Sequence, residues 1–430
     1  MTNRREFCKT IGLVTGTATL ASFFPAYTQE EINNSINKIS NLKPSEVAKE
    51  EDFWLWVQQS YTSSPNIINL NNGGVSPQPK VVQDAFEKYN RFSNEAPTYY
   101  MWRILDQGRE PLRQKLADLA GCSSEEIAIN RNTTEALNNI IFGLNLKSGD
   151  EVVLTKQDYP NVINSWKQRE ARDGIKIKWV NLNLPIENDD EIVEQFLNAF
   201  TSKTRAVNVT HMINWTGQIL PVKKIAQKSH ERGIEVIVDS AHTFAHIVFK
   251  IPELDCDYLG TSLHKWLCAP FGTGLLYIRK DKIKNIWPMY PTAEPKSEDI
   301  KKFESMGTRS FPAEMAIGNA INFHYAIGPE RKEARLRYLK NYWAEKAINI
   351  DKVKLHTSLK PEYSCALGIF SIENKKPEDI ANILFDKYKI HVVSIVWENI
   401  SGVRITPHVY TSIKDLDKLV NAVNDIAKTA

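Results

Sequence analysis

Short apolar runs alternate with longer amphipathic stretches along most of the chain. "EEIAIN" (125–130) precedes "TTEALNNIIFGLNL" (133–146), and "DEVVLT" (150–155) precedes a helix-like stretch around Trp166 to Arg172. "RAVNVT" (205–210) and "IEVIVD" (234–239) follow, with helical material between them. Runs rich in Val and Ile, separated by helix-length segments, predict a doubly wound α/β sheet. Ligands of such sheets bind beyond the carboxyl ends of the strands, so the residues after each run are the first candidates for chemistry. Those residues are Asn132, Thr133, Thr134 and Glu135, then Asp158 and Tyr159, then His211 and Asn214. Asp239 ends the fourth run, and His264 with Lys265 follow Tyr258 and Leu259.

Composition changes this picture little. The 430 residues are 42% hydrophobic, enough for a core that is expected to divide, because single cores rarely outgrow about 250–300 residues. A formal net charge of +3 gives nucleic acid no support as a partner. The five cysteines, Cys8, Cys122, Cys256, Cys268 and Cys365, lack CxxC spacing and disulfide density, so they read as mostly buried thiols and no metal site is expected.

The first residues add a location. "NRREFCK" (3–9), followed by the apolar "TIGLVTGTATLASFFPA", resembles a twin-arginine export signal with Arg4 and Arg5 as the pair. The apolar stretch falls short of the roughly 20 residues a membrane span needs. The expectation is a periplasmic protein with a signal over 1–28, cytoplasmic if the segment is only an N-terminal arm. Polar residues from Gln29 to about Glu51 read as a linker.

The strand-end residues suggest a ligand. Thr133 and Thr134 stand where a helix begins and offers free N–H groups to a phosphate, although an ordinary helix cap would use the same residues. Asp239 is a cap or a carboxylate that keeps a ring nitrogen protonated. Lys265 is a surface lysine or an amine whose pKa is lowered by desolvation for Schiff-base chemistry. Together they describe a site for pyridoxal 5′-phosphate (PLP). A nicotinamide-binding fold is rejected, since "GTGLLY" (272–277) lacks the third glycine of G-x-G-x-x-G and runs into a strand.

"NTTEALN", "VDSAH" and "TSLHKW", in this order, resemble the class V aminotransferase family of fold type I PLP enzymes. "LNNGGVSP" (70–77) and "VRITPHVY" (403–410) extend the resemblance over nearly all of the chain after about residue 65. It implies a PLP-binding large domain over 66–312 with a mostly parallel sheet, a smaller C-terminal α/β domain over 313–430, an N-terminal segment over 29–65 and a homodimer. It also implies that Lys265 forms the Schiff base, that Asp239 pairs with the pyridine nitrogen, and that His242 and Asn214 lie near the ring's phenolic oxygen. Thr133, Thr134, Ser262 and His264 would bind phosphate, Tyr159 would stack on the ring, Thr308 would reach the partner's phosphate and Arg404 would bind the substrate carboxylate.

One departure bears on the reaction. The family's desulfurases need a mobile cysteine upstream of that arginine, and no cysteine lies between Ala366 and Arg404. Cys365, in "SCALGIFSI", reads as a buried strand thiol. The resemblance therefore points to the isopenicillin N epimerase-like branch and to Cα proton abstraction from an amino acid. A cysteine desulfurase or C–S lyase, an aminotransferase, and a non-catalytic PLP-fold binding protein stay open as alternatives.

Overall fold

The computed structural model describes residues 38–430. The expected export signal over 1–28 lies outside the described residues. Seven strands form the central sheet: β2 (Ile127–Asn130), β3 (Glu151–Thr155), β4 (Lys176–Val180), β5 (Thr204–Thr210), β6 (Glu235–Asp239), β7 (Tyr258–Ser262) and β8 (Gly274–Ile278). Their order is β2-β8-β7-β6-β5-β3-β4, and only β8 runs antiparallel to its neighbours. β2, β7 and β8 are buried at every position because helices cover both faces of the sheet. Val153, Val207 and Val238 belong to the core on one face, and Val152, Ala206 and Ile237 to the core on the other.

A second, four-stranded antiparallel sheet has the order β12-β13-β10-β9. It comprises β9 (Val353–Leu355), β10 (Gly368–Ile372), β12 (Val393–Trp397) and β13 (Ile400–Ile405). Helices Pro329–Ala347, Pro377–Tyr388 and Ile413–Ala427 bury Leu339, Trp343, Leu384, Leu416 and Leu419 in its core. The short strand β1 (Ile68–Asn69) pairs in parallel with β11 (Ile390–His391) in a separate two-stranded sheet, and Leu70 and Ile390 join the core of the small unit. Helix Phe311–Ile327 gives Ala316, Ile317, Ala320 and Ile321 to the core of the large sheet. Its Phe323 and Ile327 join a further cluster with Val47, Phe53 and Trp54.

The stretch read as a linker is partly structured. Helices Pro44–Val47 and Glu51–Gln59 pack on the small unit, where the Trp54 indole donates to the Val47 carbonyl at 2.7 Å. The buried Arg335 donates to the Ala48 carbonyl at 2.9 Å and pairs with Glu51. The polar composition hides Val47, Phe53, Trp54 and Val57, which form one buried face.

Candidate active site

The carboxyl ends of β5, β6 and β7 open into a cavity of about 620 Å3, closed on its other side by β12 and β13. Lys265 lies in the turn after β7, half-buried on the cavity wall. Desolvation lowers its pKa to about 8, opposed by the Asp239 carboxylate and aided by Arg404. Its Nζ sits 3.1 Å from His242 Nε2. His242 Nδ1 faces the Trp266 indole N–H at 3.4 Å. An indole N–H can only donate, so Nδ1 accepts and the neutral imidazole carries its proton on Nε2, toward Lys265. Burial, then the charges of Lys265 and Arg404, hold the His242 pKa well below the usual value and favour that neutral ring.

Asp239, the last residue of β6, is 3% exposed and accepts the Ala241 N–H at 2.9 Å. Burial raises its pKa, while that hydrogen bond and Lys265 pull it down. Among the described residues it has no ion-pair partner within 4.0 Å. A buried carboxylate in this setting calls for a protonated nitrogen. Behind it, Asp158 is fully buried and accepts from the Thr210 hydroxyl and, at 3.2 Å, from the Thr155 N–H. Its pKa is pushed up to about 7, first by burial and further by Asp239.

Helix Thr133–Gly143 starts beside these groups. Its cap is Asn132, which accepts the Glu135 N–H at 2.9 Å, so the threonines do not cap the helix. The Thr133 N–H donates to Ser262 Oγ at 2.9 Å, and the two hydroxyls lie 2.7 Å apart. His264 Nδ1 donates to the Thr273 carbonyl at 3.0 Å, which leaves Nε2 as an acceptor or, once protonated, a donor. Thr133, Thr134, Ser262 and His264 all line the cavity at this helix N-terminus.

The opposite end is built around Arg404 on β13. This side chain is buried, donating from Nη1 to the Asn214 carbonyl at 2.7 Å and from Nη2 to Asn71 Oδ1 at 3.0 Å. Its buried Nε has no partner, and no carboxylate of the described residues pairs with it. Desolvation lowers its pKa to about 10. Gly73 makes room here, since a Cβ would come within 3.5 Å of Arg404 Cζ and 3.2 Å of Thr406 Oγ1. Gly217, at φ +79°, closes the loop that carries Asn214 and Trp215, and a Cβ there would meet the Leu367 carbonyl at 2.5 Å. Asn214 keeps a buried Oδ1 without a partner.

Lys265, Asp239, His242, Thr133, Thr134, Ser262, His264, Asn214, Tyr159 and Arg404 thus line one cavity. Tyr159 is 41% exposed and precedes helix Pro160–Asp173. Thr308 is exposed and does not line the cavity within this chain. Cys365 lies before β10 and not within it, because pairing there begins at Gly368. Burial raises its thiol pKa to about 12. Sequence reasoning left Asn71 and Trp266 without roles, although both sit in the quoted motifs. Their partners, Arg404 and His242, are distant in sequence or hidden by the fold.

The residues fit PLP on chemical grounds: an amine of lowered pKa for its aldehyde, an unpaired buried carboxylate for its ring nitrogen, and a hydroxyl-lined helix N-terminus for its phosphate. Fold and site together define a fold type I PLP-dependent enzyme. The family model described as "Aminotransferase class-V" matches residues 68–419, and the chain belongs to that family. The isopenicillin N epimerase of Amycolatopsis lactamdurans is 25% identical over 394 residues, spanning 87% of this chain and 99% of that protein. A probable cysteine desulfurase of Halalkalibacterium halodurans is 28% identical over 346 residues, 76% of this chain and 83% of that one. Among solved structures, the cysteine desulfurase of Thermococcus onnurineus has a TM-score of 0.77 at 22% identity, covering 87% of this chain and 98% of that chain. The cystine C–S lyase C-DES gives 0.76 at 22% identity, covering 84% and 98%. Both share the fold.

Proposed function

We propose that the protein binds an α-amino acid through its carboxylate at Arg404 and moves the proton at Cα with Lys265, in an isopenicillin N epimerase-like reaction. The observation that carries this reading is Arg404, a buried guanidinium facing the cavity with no acid among the described residues to neutralise it and with only two of its five N–H donors engaged. A carboxylate supplies both the charge and the acceptor. When bound, PLP supplies the electron sink that weakens the Cα–H bond.

The chain's own groups have separate tasks. Asp239 holds a proton at the ring nitrogen. Lys265 is free amine in useful proportion near neutral pH, which suits a general base. His242, neutral with its Nε2–H toward Lys265, orients that amine without placing a second positive charge beside it. Thr133, Thr134, Ser262 and His264 hold the phosphate, with Asn214 and Tyr159 at the ring.

Persulfide formation is disfavoured because Cys365 is buried and its thiol is poorly ionised. The test is solvent-deuterium incorporation at Cα, with chiral product analysis, across a panel of amino acids. Exchange with inversion supports the reading. A persulfide on Cys365, or turnover without Cα exchange, overturns it.

Two further parts of the reading concern context. We infer export by the twin-arginine route from "NRREFCK" and its apolar tail. Replacing Arg4 and Arg5 by lysine should retain the protein in the bacterial cytoplasm, and equal location of both forms would refute this. We also infer a homodimer, supported by the exposed Tyr99, Trp102 and Ile104 and by Thr308 lying outside its own chain's cavity. A monomer mass in sedimentation equilibrium would contradict it.

A further inference from the structure

Resting on that reading, we infer that the substrate is an α-amino acid with an uncharged, apolar side chain. Among the described residues of one chain, three lining side chains are carboxylates, lysines or arginines: Lys265, Asp239 and Arg404. The proposed function uses all three, for the cofactor aldehyde, the ring nitrogen and the α-carboxylate. Among the described residues no further carboxylate, lysine or arginine lines the cavity to meet a charged side chain.

Beyond the Asn71 and Asn214 oxygens that hold it, Arg404 has an apolar wall on the β12 side, and the connection is set by the backbone. Val393 is the direct cross-strand partner of Arg404 on β12, and Ile395 lies two residues further along. Side chains at directly opposed and alternate positions share one face, and all three line the cavity. Trp215 follows Asn214, whose carbonyl holds the guanidinium, and it stacks on Trp397 with centroids 5.2 Å apart. Val75 lies two residues beyond Gly73, which packs against the same arginine, and lines the cavity. A carboxylate seated on Arg404 places its own Cα next to these walls. An ammonium or second carboxylate on that side chain would be desolvated without a partner.

The test titrates the holoenzyme with L-leucine, L-methionine, L-glutamate, L-aspartate and L-lysine, reading affinity by calorimetry and by the visible absorbance. Leucine or methionine should bind at least about tenfold tighter than the charged amino acids. In Val393→Lys the order should invert toward glutamate with the starting absorbance unchanged. Val75→Lys, at a 49% exposed position, carries the same expectation if the first variant folds poorly. Charged amino acids binding wild type as tightly as leucine would overturn this inference and leave Cα chemistry standing. Binding by none of the five would overturn both.

Discussion

The two ends of the cavity are built on opposite plans. At the Lys265 end the polar groups come from neighbouring strand ends of one sheet and already engage one another: Thr133 with Ser262, His264 with Thr273, Asp239 with Ala241. At the Arg404 end a single guanidinium stands among Val393, Ile395 and Trp215, held by Asn71 and a carbonyl from Asn214. Dense pre-pairing suits a group that stays bound, because little reorganises when it arrives. A lone buried charge with a free N–H suits a molecule that comes and goes, since binding it satisfies what the apoprotein leaves unmet.

The largest effect should come from the first end. Lys265→Ala should cut Cα exchange by about 10²–10⁴-fold or more, and borohydride should no longer fix a pyridoxyl group on that peptide. Labelling of another lysine in the wild type would erase the contrast between the ends. A smaller effect follows from the lowered pKa of Lys265. The free amine is the reactive form, and lowering its pKa from 10.5 to about 8 makes more of it at neutral pH. PLP capture by the apoprotein should therefore rise about tenfold from pH 7 to a plateau above about pH 9, with its midpoint near 8. An inflection near that of an ordinary lysine would mean the desolvation is lost in solution. The smallest change belongs to the second end. Asn71→Ala removes one hydrogen bond to Arg404 and should raise the half-saturating amino acid about fivefold while PLP capture stays the same. Loss of cofactor in this variant would show that the ends are coupled.

The same contrast explains what the sequence reveals. Lys265, Asp239 and Thr133 each sit directly beyond or at the end of an apolar run, so periodicity alone brings them to one edge of a sheet. Asn71 and Trp215 reach the Arg404 end only through contacts between residues well over 100 apart, Asn71 beside the parallel β1–β11 pairing and Trp215 by stacking on Trp397 of β12. Nothing local marks that register. The cap at Asn132 was hidden by two adjacent threonines, either of which satisfies the same preference. The helices at 44–59 were masked by polar composition, although Trp54 and Val57 lie one turn apart and bury together.

The division of the cavity is tested most directly by titrating an amino acid into Arg404→Ala and wild-type holoenzyme while recording visible absorbance. Both proteins should start with the same spectrum, and the variant should need about 30-fold more ligand or worse, the loss expected at the lower end of about 2–5 kcal/mol for removing a charged partner. Unchanged affinity, or a variant that no longer holds PLP, would contradict the assignment of one end to cofactor and the other to substrate.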